Sequence, residues 1–429
     1  MHSRDEVEAY ARKLEEICRL YYIYERTQKQ IFSKETHLHL NNSSAVSLAL
    51  KKAVELGVIF FDVDSSFAIV GDEENHLSRQ IRDTFRLAYS TVVNVGVPRP
   101  AGDDTGDDRV NPNEDDYLHT VLANHTGKYI GGHIESEDHI AVAGGRAVYQ
   151  TVRVIRRGRH PCRDIEITPL SGRIWTHSWE VHGPYIERPI DADDAAFVLA
   201  LAFEKEPGTK FSQVAHPLFA ANSSEATAII EEFCPFLANG AWRDKDQPPR
   251  RAIVGIGVID PKSGHRCSDL FRNPKKIDPY LHRAAGQLRK AVELVEKERL
   301  PYFGDVANRF FPALYLPSEL KPETLQVAAA AYAKLNKELA KLTDRMIVVD
   351  WGHLKGIPSV DAVAGGPLKL RALWTLLITG LLEPDKRIID GLTTDTESAE
   401  GLIAAHRDYE HADPAIRQWY ADIVRTLFK

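Results

Sequence analysis

The chain has 429 residues, 43% of them hydrophobic, and a formal net charge of −7. That length supports a large core and two or more domains, and the acidic balance excludes a globally basic nucleic-acid binder while leaving room for a locally basic module. The four cysteines, Cys18, Cys162, Cys234 and Cys267, form no C-x-x-C pair. This argues against a zinc ribbon or a disulfide framework and points to a reducing, cytoplasmic setting. The start, MHSRDEVEAYARKLEEI, is charged and amphipathic rather than a signal peptide, and no apolar run is long enough to span a bilayer, so no membrane partner is expected.

In chain order, Arg4 to Arg26 reads as a long helix, with Val7, Ala11, Leu14, Ile17, Leu20 and Tyr21 at helical spacing. This stripe either pairs two copies of the chain or packs on its own module. Gln28 to Lys34 is a second helix. Asn41-Asn42-Ser43-Ser44 caps a third, which runs through Ala53 and stops at Gly57. VIFFDVD (58–64) then reads as a strand or wing. Three helices and a strand within residues 1–64 predict a winged helix-turn-helix, followed by a polar linker helix within 65–90. From residue 91 strands and helices alternate. Strands are expected at 91–97, 139–145, 164–172, 252–259, 346–350 and 361–366, and helices at 119–130, 146–158, 191–205, 281–298 and 367–380. Residues 98–116 form a solvated acidic loop, and a helical stretch at 318–345 looks like a second insertion. The fold class is therefore α/β: an N-terminal winged helix-turn-helix, then a mainly parallel, Rossmann-like sheet with helices on both faces.

Ligands of such sheets sit at the carboxyl ends of the strands. Four glycine turns fall there: Ala143-Gly144-Gly145-Arg146, Leu170-Ser171-Gly172-Arg173, Gly255-Ile256-Gly257 and Ala364-Gly365-Gly366-Pro367-Leu368-Lys369. Glycine lets the backbone approach a ligand, the following helix offers free N–H groups, and Arg146, Arg173 and Lys369 supply positive charge. The pattern predicts an anion-binding pocket. Asp305, in the aromatic segment FGDVANRFF, is either a turn residue or an acceptor for sugar hydroxyls. No P-loop, dinucleotide fingerprint, G-x-S-x-G or H-E-x-x-H occurs. The histidines are scattered, and no metal, cofactor or catalytic residue is assigned. In the helix-turn-helix, residues 19–52 hold six Lys/Arg against Glu25 and Glu35. Gln28, Ser43, Ser44, Ser47, Lys51 and Lys52 are the candidate DNA contacts, the lysines toward phosphates.

These residues resemble the SorC-type sugar-binding transcriptional regulators. The blocks that carry the resemblance are CRLYYIYERTQKQI and SSAVSLALKKAVELGVIFFDVD in the N-terminal part. DHIAVAGGRAVYQTV, ITPLSGR, VGIGVID, FGDVANRFF, DAVAGGPLKLRALWTLLITG and TTDTESAEGLI follow in the same order, from about Cys18 to about Ile403. The resemblance implies a phosphosugar-isomerase-like effector domain, a phosphorylated sugar effector and a homo-oligomer, commonly a tetramer. It also implies that Gly144, Gly145, Arg146, Ala147 and Lys369 hold the phosphate and that Asp305 faces the sugar. The chain departs from the family pattern at Arg146-Ala147, where hydroxyl residues are usual. It departs again in the longer turn SKETHLHLNN and in Val46-Ser47-Leu48, where an arginine is usual in place of Leu48.

The expectation is a regulator of carbohydrate metabolism with three parts: a DNA-binding domain at 1–64, a linker at 65–90 and an effector domain at 91–429. It is not read as an enzyme; its partners are operator DNA, a sugar-phosphate or sugar-acid effector, and further copies of itself as a dimer or tetramer. The alternatives are a sugar-phosphate isomerase or deaminase, which needs a carboxylate or histidine base at a strand end, and a regulator-derived protein that no longer binds DNA.

Overall fold

The computed structural model describes residues 27–40, 42–55, 72–95, 112–157, 162–172, 191–203, 207–214, 216, 218–234, 237, 249–259 and 279–428, with 13, 14, 16–18, 20 and 21 near the start. It divides into two compact units, Met1–Phe67 and Ala68–Lys429.

In the first unit, helix α1 is Gln28–Lys34 and α2 is Ser43–Glu55. Thr27 closes a capping box at the start of α1: its hydroxyl accepts from the Gln30 N–H while Gln30 Oε1 accepts from the Thr27 N–H at 2.8 Å. Asn42 caps α2 by accepting from the Ala45 N–H at 2.8 Å. Between them Thr36–Leu38 makes a 3₁₀ turn that ends on His39 at φ 45. Ile31, Leu38, Val46 and Leu50 bury against Leu14, Ile17, Cys18 and Leu20. The described part of the N-terminal stripe is therefore spent on this unit's own core, the second of the two readings its periodicity allows. Gly57 and the wing at 58–64 lie outside the described residues.

The second unit opens with helix α3 (Asp72–Phe85). Strand β1 (Tyr89–Val93), α4 (Pro112–Gly131), β2 (His139–Val142), α5 (Arg146–Arg157), β3 (Glu166–Pro169), α6 (Ala192–Ala200), β4 (Lys210–Phe211) and α7 (Ser223–Phe233) follow. Then come β5 (Arg251–Ile259), α8 (Pro279–Glu298), the hairpin β6 (Phe303–Val306) and β7 (Arg309–Pro312), α9 (Leu325–Thr343) and α10 (Trp351–Gly356). The chain ends with β8 (Ser359–Val363), α11 (Leu370–Leu382), β9 (Gly391–Asp395), α12 (Thr396–His411) and α13 (Pro414–Val424). The sheet order is β1-β9-β8-β5-β2-β3-β4, every neighbouring pair parallel, with β6 and β7 added antiparallel to the far end of β5.

Both faces of the sheet are covered, and the strands alternate between two cores. Ala141, Ala143, Ala252, Val254, Ala362 and Ala364 face a large core shared with α3, α8, α9, α11, α12 and α13. Ile140, Val142, Ile167 and Ile253 face a smaller one, closed by Val148, Val152 and Ile155 of α5 and Leu199 of α6. The small alanines on one side let α11 approach closely, which a parallel sheet buried on both faces requires.

Four sequence expectations change. Residues 72–85 are integral to the second unit rather than a linker: Leu77, Ile81 and Phe85, at i, i+4 and i+8 in a polar helix, are buried in its core. The acidic segment expected at 98–116 is helical from Pro112 onward. MIVVD (346–350) forms only isolated bridges, Met346 with Phe219 and Val348 with Ser171. Gly255-Ile256-Gly257 is not a turn but the middle of the nine-residue strand β5, which passes from the parallel sheet into pairing with β6.

Candidate functional site

The chain builds β2, β3 and β4 outward in one direction and then returns to lay β5, β8 and β9 in the other. The reversal between β2 and β5 is the topological switch point, outside whose carboxyl strand ends the ligands of such sheets bind. The candidate site lies there.

After β2 the chain turns through Gly144 and Gly145 into α5. Gly145 has φ +105, a conformation that L side chains rarely adopt, and a Cβ there would meet nothing within 4 Å. The glycine thus serves backbone geometry beside open space. Arg146 is the first residue of α5 and half-buried, while Ala147 is buried at its base. Just before the turn the Ala143 N–H donates to the Ile253 carbonyl at 2.9 Å, which ties its start to the central strand β5.

The loop after β8 is held from the side. Gly366, at φ +95, donates its N–H to Asp395 Oδ2 at 2.6 Å. Asp395 also caps α12, accepting from the Ser398 N–H at 2.9 Å and the Ser398 hydroxyl at 2.8 Å. A Cβ at Gly365 would collide with the same carboxylate. This buried carboxylate fixes the Gly365-Gly366 turn, so that Pro367–Lys369 forms one 3₁₀ turn leading into α11. Lys369 ends that turn half-buried, its Nζ 3.1 Å from His119 Nε2 on α4.

Asp305 comes from the hairpin. Its register partner in β5 is Gly257, and a Cβ there would collide with the Asp305 carboxylate, so Gly257 is the space in which this acid lies. The hairpin turns on Ala307 (φ 51) and Asn308 (φ 65), the two-residue geometry that suits twisted strands. The Asn308 backbone N–H bonds the Asp305 carboxylate. Burial pushes the Asp305 carboxyl up to about 6, against that hydrogen bond and the positive charge of Lys369, which both pull it down.

The structure thus brings Asp305 within electrostatic reach of Lys369, puts Gly257 of β5 opposite Asp305, and starts the Gly144–Ala147 turn beside the same strand. Ser171 and Gly172 have a supporting place instead. The Ser171 hydroxyl is fully buried and accepts from Asn308 Nδ2 at 2.8 Å, and the Gly172 N–H donates to the Ile347 carbonyl at 2.7 Å. Arg173 lies outside the described residues. His119 was not anticipated, because it meets Lys369 across 250 residues of sequence. Among the described residues no group of histidine, cysteine and carboxylate side chains could hold a metal.

In the first unit Ser44, Ser47 and Lys51 are exposed on α2, Lys52 and Gln28 are half-buried, and Ser43 opens α2.

No protein-family model matches the chain, and no curated protein does. Solved structures similar to it include the full-length sorbitol operon regulator SorC from Klebsiella pneumoniae, at 17% identity and a TM-score of 0.46, covering 92% of this chain and 99% of that one. A probable sor operon regulator from Shigella flexneri has 15% identity and a TM-score of 0.49 over 77% of this chain and 100% of that one. A domain of a possible sugar-binding transcriptional regulator from Arthrobacter aurescens TC1 has 19% identity and a TM-score of 0.48 over 78% of this chain and 100% of that one.

Proposed function

We propose that the chain is a DNA-binding transcriptional regulator of carbohydrate metabolism, controlled by a small sugar-phosphate or sugar-acid effector held in the second unit. The observation that carries the effector reading is the convergence at the switch point. A glycine turn at a helix N-terminus and a lysine provide for an anion, and a half-buried carboxylate provides for hydroxyls. Inorganic anions need only the first two. A hydroxylated anion uses all three. The DNA-binding reading rests on the capped helix pair of the first unit, whose exposed Ser44, Ser47 and Lys51 share one face. The same reading has the protein act in the cytoplasm as a dimer or tetramer, since paired heads read two half-sites. Among the described residues no helix is long and apolar enough to cross a membrane.

One observation favours a second reading. Asp305, raised to about 6, and His119 flank Lys369, and such groups can move a proton beside a sugar carbonyl. Calorimetric titration with sugar phosphates and sugar acids, followed by NMR of the same mixtures over hours, separates the two. The regulator reading expects heat of binding and an unchanged ligand. Steady conversion of the ligand supports the isomerase-like enzyme, and no heat with any of them removes the effector site.

A further inference from the structure

We propose that Leu48 is a base-reading residue that recognises a thymine through its 5-methyl group. The inference rests on the DNA-binding reading and deepens it.

Helix α2 divides its residues by face. Val46 and Leu50, four apart, are buried in the core of the first unit with Ile31 and Leu38. Ser44, Ser47, Leu48 and Lys51 follow the spacing i, i+3, i+4, i+7 and form one exposed stripe. Leu48 is 59% exposed; among the described residues only Val327, of the large hydrophobic side chains, is more exposed. Its neighbours on the stripe are two hydroxyls and an ammonium. The unit's own core is already closed by Leu14, Ile17, Ile31, Leu38, Val46 and Leu50 and does not use it.

The occupant that fits this stripe is duplex DNA. No Asp or Glu occurs between Glu35 and Glu55, while Lys34, Lys51 and Lys52 flank or lie in that span. The exposed stripe of α2 itself, Ser44, Ser47, Leu48 and Lys51, thus carries no carboxylate that would repel phosphates. In the major groove only thymine offers a methyl group, beside its O4 acceptor. A serine hydroxyl donates to O4 or to a purine N7 with little preference, so Ser44 and Ser47 position the helix without choosing the base. An isopropyl group against a methyl discriminates, because it gains only where the methyl is present. Leu48 therefore supplies the selectivity that the serines lack.

The test uses the full chain and duplexes enriched from a random-sequence pool. The enriched site is resynthesised with deoxyuridine replacing thymidine one position at a time, and affinity is read by fluorescence anisotropy. Loss of one buried methyl is expected to weaken wild-type binding about three- to fourfold at one position, or at a symmetric pair of positions. Leu48→Ala should bind the thymidine duplex about as weakly as wild type binds the deoxyuridine duplex, and should no longer distinguish the two. Ser47→Ala should still distinguish them. Leu48 is exposed, so its variant should melt like wild type, which circular dichroism checks. Undiminished discrimination by Leu48→Ala, or discrimination at no position, overturns the proposal while leaving DNA binding intact. Failure to enrich any sequence overturns the DNA-binding reading and this inference with it.

Discussion

The two ends of the same parallel sheet use similar residues to opposite effect. At the amino ends of β5, β8 and β9, Asp361 is wholly buried and accepts from Arg251 Nη1 at 2.5 Å and from the Ser359 hydroxyl at 3.2 Å. Tyr89 stacks on Tyr129 at 4.0 Å, and a Cβ at Gly391 would strike the Tyr89 ring. Charge and space there are consumed by the protein itself. At the carboxyl ends, Asp305 lies within electrostatic reach of Lys369, and Gly145 after β2 faces open space. A buried ion pair closed on itself is structural, whereas charges arranged around a gap invite a ligand.

Breaking the amino-end pair should have the largest effect. Arg251→Leu strands the Asp361 carboxylate and should cost about 3–5 kcal/mol in urea denaturation, while ligand affinity of the protein that stays folded is unchanged. At the other end the pattern should invert. Lys369→Ala should weaken binding of a sugar phosphate ten-fold or more, the loss of a charged hydrogen bond worth about 1.5–3 kcal/mol, with little change in stability. Arg146→Ala should weaken binding less. Unchanged calorimetric affinity in folded Lys369→Ala would remove this lysine from the site.

Gly145→Ala tests the open side of the comparison. The added methyl has room, so only the positive φ opposes it, and the cost should be about 1–2 kcal/mol, read as a shift in urea midpoint. A larger loss would mean that the space beside Gly145 is filled by the chain itself. A further effect concerns pH. Folding raises the Asp305 carboxyl from its ordinary value to about 6, so between roughly pH 4 and 6 the folded state binds more protons than the unfolded one. The stabilisation from this group is complete below that window and is lost as pH rises through it. Asp305→Asn, which resembles the protonated acid, should remove this component of the pH slope, leave stability below the window nearly unchanged and raise it above. An unchanged slope would show that Asp305 titrates as an exposed acid.

The contrast between the two ends also explains what the sequence disclosed. The helix at 28–34 was legible to the residue, and the one at 146–157 to within a residue, its start marked by a glycine turn. The glycine turns after β2 and β8 were legible because a positive φ at Gly145 and Gly366 demands glycine and leaves it in the sequence. Gly257 was visible but misread, since its purpose is a collision with Asp305, 48 positions on, that only pairing of β5 with β6 creates. Ser171 and Gly172 carried the right residue types, yet their hydrogen bonds go to Asn308 and Ile347, and sequence does not show where a donor is spent. His119 and Asp395 gave no signal as site residues, because each acts on the β8 loop from a different element of the fold.

The central claim is that a ligand at the carboxyl end of the sheet governs DNA binding by the first unit. Anisotropy of the full chain on its enriched duplex, measured with and without each of a panel of sugar phosphates, tests it directly. The account predicts that at least one sugar phosphate shifts the wild-type dissociation constant ten-fold or more and that Lys369→Ala, binding the duplex normally, does not respond. Identical DNA affinity with and without a sugar phosphate that calorimetry shows to be bound would contradict it.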